Sequence, residues 1–407
     1  MRSHEPPVDV VVRQCPVCES AEHVSVLTLR HVPVLMNAQV APEHSAEVPR
    51  GCIDLVICAD CGHLFNRAFD ASVLGYDAAY ENTLHFSEHY NRYATELAMR
   101  LVRDHQLDGG RVVELGSGPG HFLSMLCELG VADGRGYDPS YDGARLGSPS
   151  HPNVTISARM FPTTWSEPVN MAFSQHVLEH LLDPVAALEA QRRAVVGSGG
   201  VVYAEVPNGS CMIRNGALWD LVYEHVSYFT PTSLSTAFAR AGLRAANSGA
   251  SYGDQFLWLE ARASSEQRAE PTIDRCAVEA VMADAIRFGN EASAEIERAR
   301  DDLARWTEEG PVVLWGAGSK GMTYLNLMTD VSAVAGVVDI NPRKADWGVP
   351  GTSLVISRPA AIAAIQPSTV VVANPVYVAE VTESLASLGV RARVAPLWNT
   401  NESGPTP

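Results

Sequence analysis

Four of the eight cysteines form two Cys-x-x-Cys pairs near the amino terminus. Cys15 and Cys18 make up the first pair, and Cys58 and Cys61 make up the second. Each pair can present two thiolates from one tight turn, and two such turns complete a tetrahedral zinc site. Four thiolates leave no open position for an activated water, so this zinc would be structural. The alternative is a thioredoxin-like redox pair, although its strand–motif–helix context is missing.

The residues around and after these pairs predict two further features. Short alternating apolar stretches such as residues 53–57 predict a small β module over residues 1–70, in which zinc compensates for a small core. The following segment is rich in tyrosine, and its pattern becomes helical from Ser87. This segment either packs as a helix on the next domain or forms a lid, with Tyr76 and Tyr80 facing a ligand.

A glycine-rich loop follows an apolar strand and contains Glu114, Gly116, Gly118 and Gly120. Its Glu-x-Gly-x-Gly-x-Gly spacing differs from the dinucleotide fingerprint Gly-x-Gly-x-x-Gly and resembles motif I of class I S-adenosylmethionine (SAM) methyltransferases. Glycines let the backbone approach the methionine part of SAM closely, and the Glu114 carboxylate can organise the turn and bind the ammonium group. The next strand ends in Asp138, which can bind both ribose hydroxyls, although NAD-binding proteins place an acid similarly.

The run at residues 174–184 resembles the segment after strand 4 of the same methyltransferases. A zinc-binding helix is disfavoured, because His176 and His180 lack the His-Glu-x-x-His arrangement. The side chains expected at the cofactor are Met160 and Phe161 against adenine, and Ser174, Gln175 and His176 beside the methionine part.

His225 is the predicted general base, and the adjacent Glu224 would orient it or hydrogen-bond the substrate; both stand among aromatic residues before a helix. Burial and a nearby carboxylate shift the histidine pKa in opposite directions, which leaves it near neutrality. The alternative is a structural histidine that caps a turn. Either Tyr223 or Tyr76 would stabilise an enolate oxygen. The neighbouring side chains expected to contact substrate are Asn208, His180, Tyr228 and Tyr80.

A second glycine-rich loop at residues 316–321 has true Gly-x-Gly-x-x-Gly spacing, after a stretch at 272–309 that predicts one or two helices. Taken alone, this loop between a strand and a helix favours NAD binding. A helix amino terminus also binds pyrophosphate, and Ser319 and Lys320 are placed to contact it. A later strand ends at Asn374, on the expected ligand edge.

Together these motifs resemble the sugar C-methyltransferases of antibiotic deoxysugar pathways. The resemblance implies a four-cysteine zinc module, a central class I SAM domain and a carboxy-terminal Rossmann-like domain that helps to hold a nucleotide-sugar. It also implies methylation of a carbon beside the ketone of a nucleotide-linked 4-keto-deoxysugar, with His225 as the base. The chain departs from the family pattern at Val222, where the family has tyrosine, and in the sequence of residues 31–37.

Composition excludes several other classes. The net charge of −17, without a Lys/Arg block, disfavours nucleic acid and anionic membrane surfaces as partners. No apolar run approaches the roughly 20 residues of a membrane-spanning helix, so a cytoplasmic location is expected. We therefore predict an α/β enzyme with domains at 1–70, 71–265 and 266–407. Two alternatives remain: an O- or N-methyltransferase acting on a non-sugar natural product, and an NAD-binding module.

Overall fold

The computed structural model describes residues 9, 11–74, 81, 83–263 and 272–398. Its strands, in chain order, are β1 His23–Pro33, β2 Arg50–Cys58, β3 Leu64–Asn66, β4 Arg111–Leu115, β5 Asp133–Tyr137, β6 Val154–Ser157, β7 Met171–Gln175, β8 Val201–Pro207, β9 Ser227–Tyr228, β10 Leu243–Ser251, β11 Phe256–Ala263, β12 Val312–Trp315, β13 Val334–Val338, β14 Ile356–Ser357, β15 Thr369–Val372 and β16 Arg393–Pro396. Its α-helices are α1 Glu88–His105, α2 His121–Glu128, α3 Gly143–Leu146, α4 Pro184–Val195, α5 Gly209–Arg214, α6 Pro231–Arg240, α7 Arg275–Glu309, α8 Ser319–Leu327, α9 Ile362–Ile365 and α10 Val378–Ser387.

The amino-terminal residues form the small β module that the sequence predicts. Its antiparallel sheet has the order β1-β2-β3-β9. The fourth strand is the short β9, which comes from the middle of the chain and pairs Tyr228 with Leu64. The module therefore includes a strand that starts two residues after His225.

The central sheet has seven strands in the order β10-β11-β8-β7-β4-β5-β6. The strands from β4 to β8 run parallel, and β10 and β11 are antiparallel at one side. Val112, Val113 and Phe173 are fully buried, because helices cover both faces of a parallel sheet. The carboxyl ends of the parallel strands meet at one edge, where ligands bind in such sheets.

The carboxy-terminal sheet has five parallel strands in the order β14-β13-β12-β15-β16. The helical stretch before it is one continuous helix of 35 residues, α7. Ion pairs three residues apart support this helix, such as Asp284–Arg287 and Glu297–Arg300. Gly289 lets α7 approach β1 closely, since a Cβ there would stand 2.0 Å from the Val26 carbonyl oxygen.

One apolar core joins the β module to the carboxy-terminal half. It contains Ile53 of β2, Trp219, Phe288 of α7 and Leu314 of β12. The segment that carries His225 contributes Val222, Tyr223, Val226 and Tyr228 to this core, so it lies where the β module meets the carboxy-terminal half. Among the described residues, no helix has both the length and the apolar character needed to cross a membrane.

Candidate functional site

The four paired cysteines lie together beside the β module. The Sγ atoms of Cys15 and Cys61 are 3.7 Å apart, and those of Cys18 and Cys58 are 3.4 Å apart. All four sulfurs lie within 4.8 Å of one another. A zinc–sulfur bond of about 2.3 Å places tetrahedral sulfurs about 3.8 Å apart, so the set suits zinc. The turn after the second pair uses Gly62, whose φ of +70° favours glycine.

A cleft of about 730 Å³ runs between the ligand edge of the seven-stranded sheet and the glycine loop after β12. Its volume is in the range of ligand pockets in proteins. The predicted site residues that line this cleft are Glu114, Gly116, Gly118, Asp138, Gln175, His176, His180, Asn208, Tyr228, His225, Ser319, Lys320 and Asn374. Tyr76 and Tyr80 lie outside the described residues.

The cofactor end of the cleft is built by the loop after β4. Gly116 has a φ of +72°, and a Cβ there would stand 2.4 Å from the Val177 side chain. Gly118 has open space in the direction of a Cβ, and its N–H donates to Asp138 Oδ2 at 2.8 Å. Asp138 therefore shapes the loop as well as facing the cleft.

Glu114 is an unusual buried carboxyl group at this end. It is 5% exposed, lines the cleft, and its Oε2 accepts no hydrogen bond from any described residue. Burial raises the pKa of Glu114 well above its ordinary value, and the neighbouring Asp138 raises it further. A cationic group would supply the missing partner, so these residues suit the ammonium and ribose groups of SAM.

Four residues expected at the cofactor do not line the cleft. Gly120 instead caps α2 with a φ of +75°, and a Cβ there would stand 2.7 Å from Ile156. Ser174 is fully buried within the sheet. Met160 is 75% exposed, and Phe161 packs edge-on against Tyr137 and at a tilt against Trp165. The adenine interpretation of Met160 and Phe161 is therefore not supported by their positions.

Two histidines meet in the centre of the cleft. The ring centroids of His180 and His225 are 4.8 Å apart, and Nδ1 of His180 lies 3.0 Å from the Glu224 carbonyl oxygen. Burial lowers the pKa of His225 well below its ordinary value, and His180 and Lys320 lower it further. Burial also lowers the pKa of His180 to about 4. Both rings are therefore neutral and able to accept a proton.

Two predicted catalytic residues point away from the cleft. The Tyr223 hydroxyl accepts a hydrogen bond from the Asp70 N–H at 3.0 Å, and its ring packs on Phe69. The Glu224 carboxylate accepts a hydrogen bond from the Met36 N–H. Neither side chain lines the cleft, so the structure contradicts the predicted roles of Tyr223 at an enolate oxygen and of Glu224 in contacting the substrate or orienting His225.

Tyr228 and Asn208 reach the cleft with hydrogen bonds already formed. The Tyr228 hydroxyl donates to the Val222 carbonyl oxygen at 2.8 Å. The Asn208 side chain caps α5 by accepting from Cys211 N–H at 3.1 Å and donates to the Asp254 carbonyl oxygen at 2.8 Å. These residues shape the wall of the cleft.

The second glycine loop faces the same cleft from the opposite side. Asp339 accepts hydrogen bonds from the Ala317 N–H at 2.7 Å and the Asn341 N–H at 2.8 Å. Lys320 is paired with Asp220, and Ser319 begins α8. The local positive charge expected from Lys320 is therefore already balanced by a carboxylate.

Two more groups near this loop are also engaged. The buried Lys344 ammonium donates to Asn37 Oδ1 at 3.1 Å and to the Ala317 carbonyl oxygen at 2.9 Å. Asn374 exchanges two hydrogen bonds with Gln255, at 2.8 and 2.9 Å. A phosphate group would have to compete with these contacts.

Glu179 is a site residue that the sequence analysis missed. It is 1% exposed, lines the cleft, and has a carboxylate oxygen within 4.8 Å of ring nitrogens of His180 and His225. Its Oε1 lies 3.8 Å from Nδ1 of His176. The sequence held only a weak signal for it: a carboxylate directly before His180 and three residues after His176.

Comparison with protein families identifies two regions of the chain. Residues 86–247 match the family of methyltransferase domains. The chain contains a methyltransferase domain. Residues 258–392 match the family described as the C-methyltransferase C-terminal domain. The enzyme thus combines a class I SAM methyltransferase fold with a Rossmann-like C-terminal domain, as the sequence predicts.

No curated protein matches this methyltransferase significantly. Solved structures with similar parts include a SAM-dependent methyltransferase from Mesorhizobium loti, with 18% identity, 42% of this chain and 97% of that chain covered, and a TM-score of 0.35. Another is magnesium protoporphyrin IX methyltransferase from Synechocystis with bound S-adenosylhomocysteine, with 16% identity, 43% and 84% coverage, and a TM-score of 0.35. A third, 1,6-didemethyltoxoflavin-N1-methyltransferase from Burkholderia thailandensis, has 14% identity, 43% and 80% coverage, and a TM-score of 0.34. At these scores the likenesses carry no argument about substrate.

Proposed function

We propose that this methyltransferase transfers the methyl group of SAM to a carbon next to the ketone of a nucleotide-linked 4-keto-deoxysugar. The observation that carries the proposal is the neutral imidazole of His225 in a cleft shared by both glycine loops. Carbon acids beside a carbonyl need a placed base, whereas methylation of oxygen or nitrogen needs less help. The match of residues 258–392 to a C-methyltransferase domain supports methylation of carbon.

The proposed chemistry assigns a role to each group at the cofactor end. The Glu114 carboxylate binds the ammonium group, and Asp138 binds the ribose hydroxyls while it holds the Gly118 N–H. When bound, SAM supplies an electrophilic methyl group on a sulfonium. His225 takes the proton from the substrate carbon, and the electron pair of that C–H bond forms the enolate. Four cysteines, Cys15, Cys18, Cys58 and Cys61, hold a structural zinc away from this chemistry.

The position of the second glycine loop supports the nucleotide-sugar assignment. Ser319, at the start of α8, faces the cleft and would contact a phosphate group. Asn374 lies on the same side of the cleft and would contact the nucleotide or the sugar. The cytoplasm, where nucleotide-sugars are made, is the proposed location.

One observation favours a second candidate, methylation of oxygen or nitrogen in a non-sugar metabolite. Lys320 is paired with Asp220 and Lys344 is buried against Asn37, so a diphosphate would meet cations that are already engaged. Such a substrate would use the same cleft and the same cofactor residues.

The position of the transferred methyl group separates these candidates. The enzyme is incubated with SAM labelled with ¹³C in the methyl group and with a thymidine-diphosphate 4-keto-6-deoxyhexose or extracts of non-sugar metabolites. A product methyl carbon with a chemical shift near that of an aliphatic C–CH₃ group supports our proposal. A methoxy or N-methyl shift would establish the second candidate. Tight binding of NAD by the purified enzyme in calorimetry would make the second glycine loop an NAD site and contradict its assignment to the substrate.

A further inference from the structure

Glu179 occupies the point where the histidines of the cleft converge. Its carboxyl group lies within 4.8 Å of ring nitrogens of His180 and His225. Its Oε2 and Nδ1 of His225 are both buried without a hydrogen-bond partner among the described residues. Buried polar atoms without partners are rare in folded proteins and often mark functional positions.

A second histidine connects Glu179 to the interior of the domain. His176 lies with Nδ1 3.8 Å from Glu179 Oε1 and Nε2 3.5 Å from Glu205 Oε1. Glu205 is fully buried and accepts hydrogen bonds from the Tyr203 hydroxyl at 3.0 Å and from Gln175 Nε2 at 3.2 Å. His176 has a φ of +54°, an unfavourable backbone conformation that the fold maintains. From Glu205 through His176 and Glu179 to His225, the successive polar atoms therefore lie 3.5 Å, 3.8 Å and at most 4.8 Å apart.

We propose that Glu179 is the positioning residue of His225: it orients the imidazole and balances the positive charge that the ring gains when it accepts a proton. The inference rests on the proposed role of His225 as the base. Glu224, which precedes His225 in the chain, does not compete for this role, because its Oε1 is bonded to the Met36 N–H and its side chain does not line the cleft. His180 is held by the Glu224 carbonyl oxygen and lies beside the same ring.

The electrostatics of the cleft explain why such a carboxylate is needed. His225 is a weak base, because burial lowers its pKa, as do His180, Lys320 and His176. The positive charge of Lys320, and that of His176 when its ring is protonated, opposes a protonated His225 ring, whereas His180 is itself neutral. In the proposed step, the substrate C–H bond breaks, its electron pair forms the enolate, and its proton moves to His225. An ionised Glu179 stabilises the imidazolium ion that results.

This arrangement predicts which group controls the pH dependence. Burial raises the pKa of Glu179 to about 7, so its carboxylate form is present mainly above that pH. The titratable and charged groups around it are His176, His180, His225, Glu205 and Lys320. Since His225 stays neutral throughout this range, activity should rise with pH through about 7 as Glu179 ionises. Burial also raises the pKa of Glu224 to about 7, which makes Glu224 the matched comparison.

The test measures the NMR signals of the His225 ring and needs no substrate. Protein labelled with ¹⁵N-histidine and saturated with S-adenosylhomocysteine is titrated from pH 5.5 to 8.5 by NMR. The His225 signals are assigned by their loss in His225→Asn. In the wild type we expect the His225 signals to shift with a midpoint near pH 7. We expect Glu179→Gln to abolish that step and Glu179→Asp to retain part of it, whereas Glu224→Gln should leave it in place.

Two outcomes would overturn the inference. One is a His225 titration step that persists in Glu179→Gln and disappears in Glu224→Gln. The other is a stoichiometric metal ion: if Zn²⁺ or Mn²⁺ added to the chelator-treated wild type perturbs the His180 and His225 signals, and Glu179→Gln prevents this, the three side chains form a metal site instead. Near-ultraviolet circular dichroism of each variant shows whether its fold is retained, and Glu179→Asp carries the test if Glu179→Gln unfolds.

Failure of the inference and failure of the proposed function give different results. If methylation occurs on oxygen or nitrogen, the NMR coupling between Glu179 and His225 can still be present, and only its role in carbon deprotonation is lost. If C-methylation is found, Glu179→Gln should lower kcat about 10- to 100-fold with little change in KM, and the rise in kcat through pH 7 should vanish. An unchanged pH profile in Glu179→Gln would remove Glu179 as the positioning residue.

Discussion

The carboxylate of Glu224 accepts a hydrogen bond from the backbone N–H of Met36. This contact links the loop after β1 to the residue that precedes His225. On the other side of His225, the His63 ring lies 3.0 Å from the Ser227 hydroxyl and 3.1 Å from the Ser233 hydroxyl. The β module therefore holds the segment that carries His225 from both sides, although its cysteines lie outside the cleft.

The first prediction concerns the zinc. We expect one zinc ion per chain, bound by Cys15, Cys18, Cys58 and Cys61, and we expect Cys58→Ser to lower stability and solubility. The physical reason is that structural zinc contributes on the order of 10 kcal/mol of apparent binding free energy in small zinc modules. Metal analysis by mass spectrometry and thermal unfolding of both proteins provide the measurement.

Cys276→Ser is the control for this prediction, because Cys276 is exposed and stands apart from the four clustered thiols. It should change neither the zinc content nor the midpoint of unfolding. Carefully purified wild-type protein without zinc would contradict the prediction. A Cys58→Ser variant of unchanged stability that has lost turnover would show that the metal acts in the chemistry rather than in the fold.

The sequence predicted the elements and loops of the site much better than the directions of its side chains. Glu114, Gly116 and Asp138 were found because their positions follow from a strand, a turn and the next strand, which are local in the chain. Tyr223 and Glu224 were misplaced because their orientation depends on Asp70 and Met36, which are distant in sequence. Such long-range contacts produce no periodic pattern in the sequence, so the directions of these two side chains could not be predicted from it.

The second prediction concerns the cofactor. Asp138→Ala should weaken SAM binding by roughly 1.5–3 kcal/mol, since charge-assisted hydrogen bonds to the ribose are lost together with support for the Gly118 N–H. This corresponds to an increase in Kd of about 10- to 150-fold in calorimetry. Asp339→Ala is the matched control, because Asp339 supports the other glycine loop through the Ala317 N–H. Equal SAM affinity of wild type and Asp138→Ala would remove Asp138 as the ribose anchor.

The third prediction concerns the second glycine loop. Gly318 has a φ of −89° and no atom within 4 Å of an added Cβ, so its backbone tolerates other residues. Gly318→Leu should therefore fold normally, extend into the cleft and raise the KM for the second substrate at least about 10-fold, while SAM binding survives. Gly318→Ala should have a much smaller effect. Loss of SAM binding in Gly318→Leu would show that this loop does not belong to the substrate end.

The fourth prediction tests the corrected role of Tyr223. Tyr223→Phe removes the acceptor of the Asp70 N–H, so we expect it to lower the free energy of unfolding by about 1 kcal/mol and to leave turnover within about twofold. Denaturant unfolding and steady-state kinetics measure the two effects. A large loss of kcat with unchanged stability would return Tyr223 to the catalytic group and contradict its placement against Phe69.

The last prediction concerns the base itself. A carbon acid beside a ketone is far weaker than the acidic side chains of proteins, so its deprotonation needs a placed base. His225 is neutral because burial lowers its pKa, and its ring lines the cleft. Removal of a general base costs on the order of 10²–10⁴ in rate, so His225→Ala should lose turnover by that factor while SAM binding is retained.

Hydrogen exchange tests this assignment without methyl transfer. In heavy water, with S-adenosylhomocysteine and a thymidine-diphosphate 4-keto-6-deoxyhexose, the wild type should introduce deuterium at the carbon that becomes methylated. His225→Ala should not, and Tyr223→Phe is the control that should exchange at the wild-type rate. Full exchange by His225→Ala would exclude His225 as the base and direct attention to Tyr76 or His180. If the wild type methylates carbon but shows no exchange, deprotonation is coupled to methyl transfer, because the enolate is then formed only when a methyl group is available to trap it.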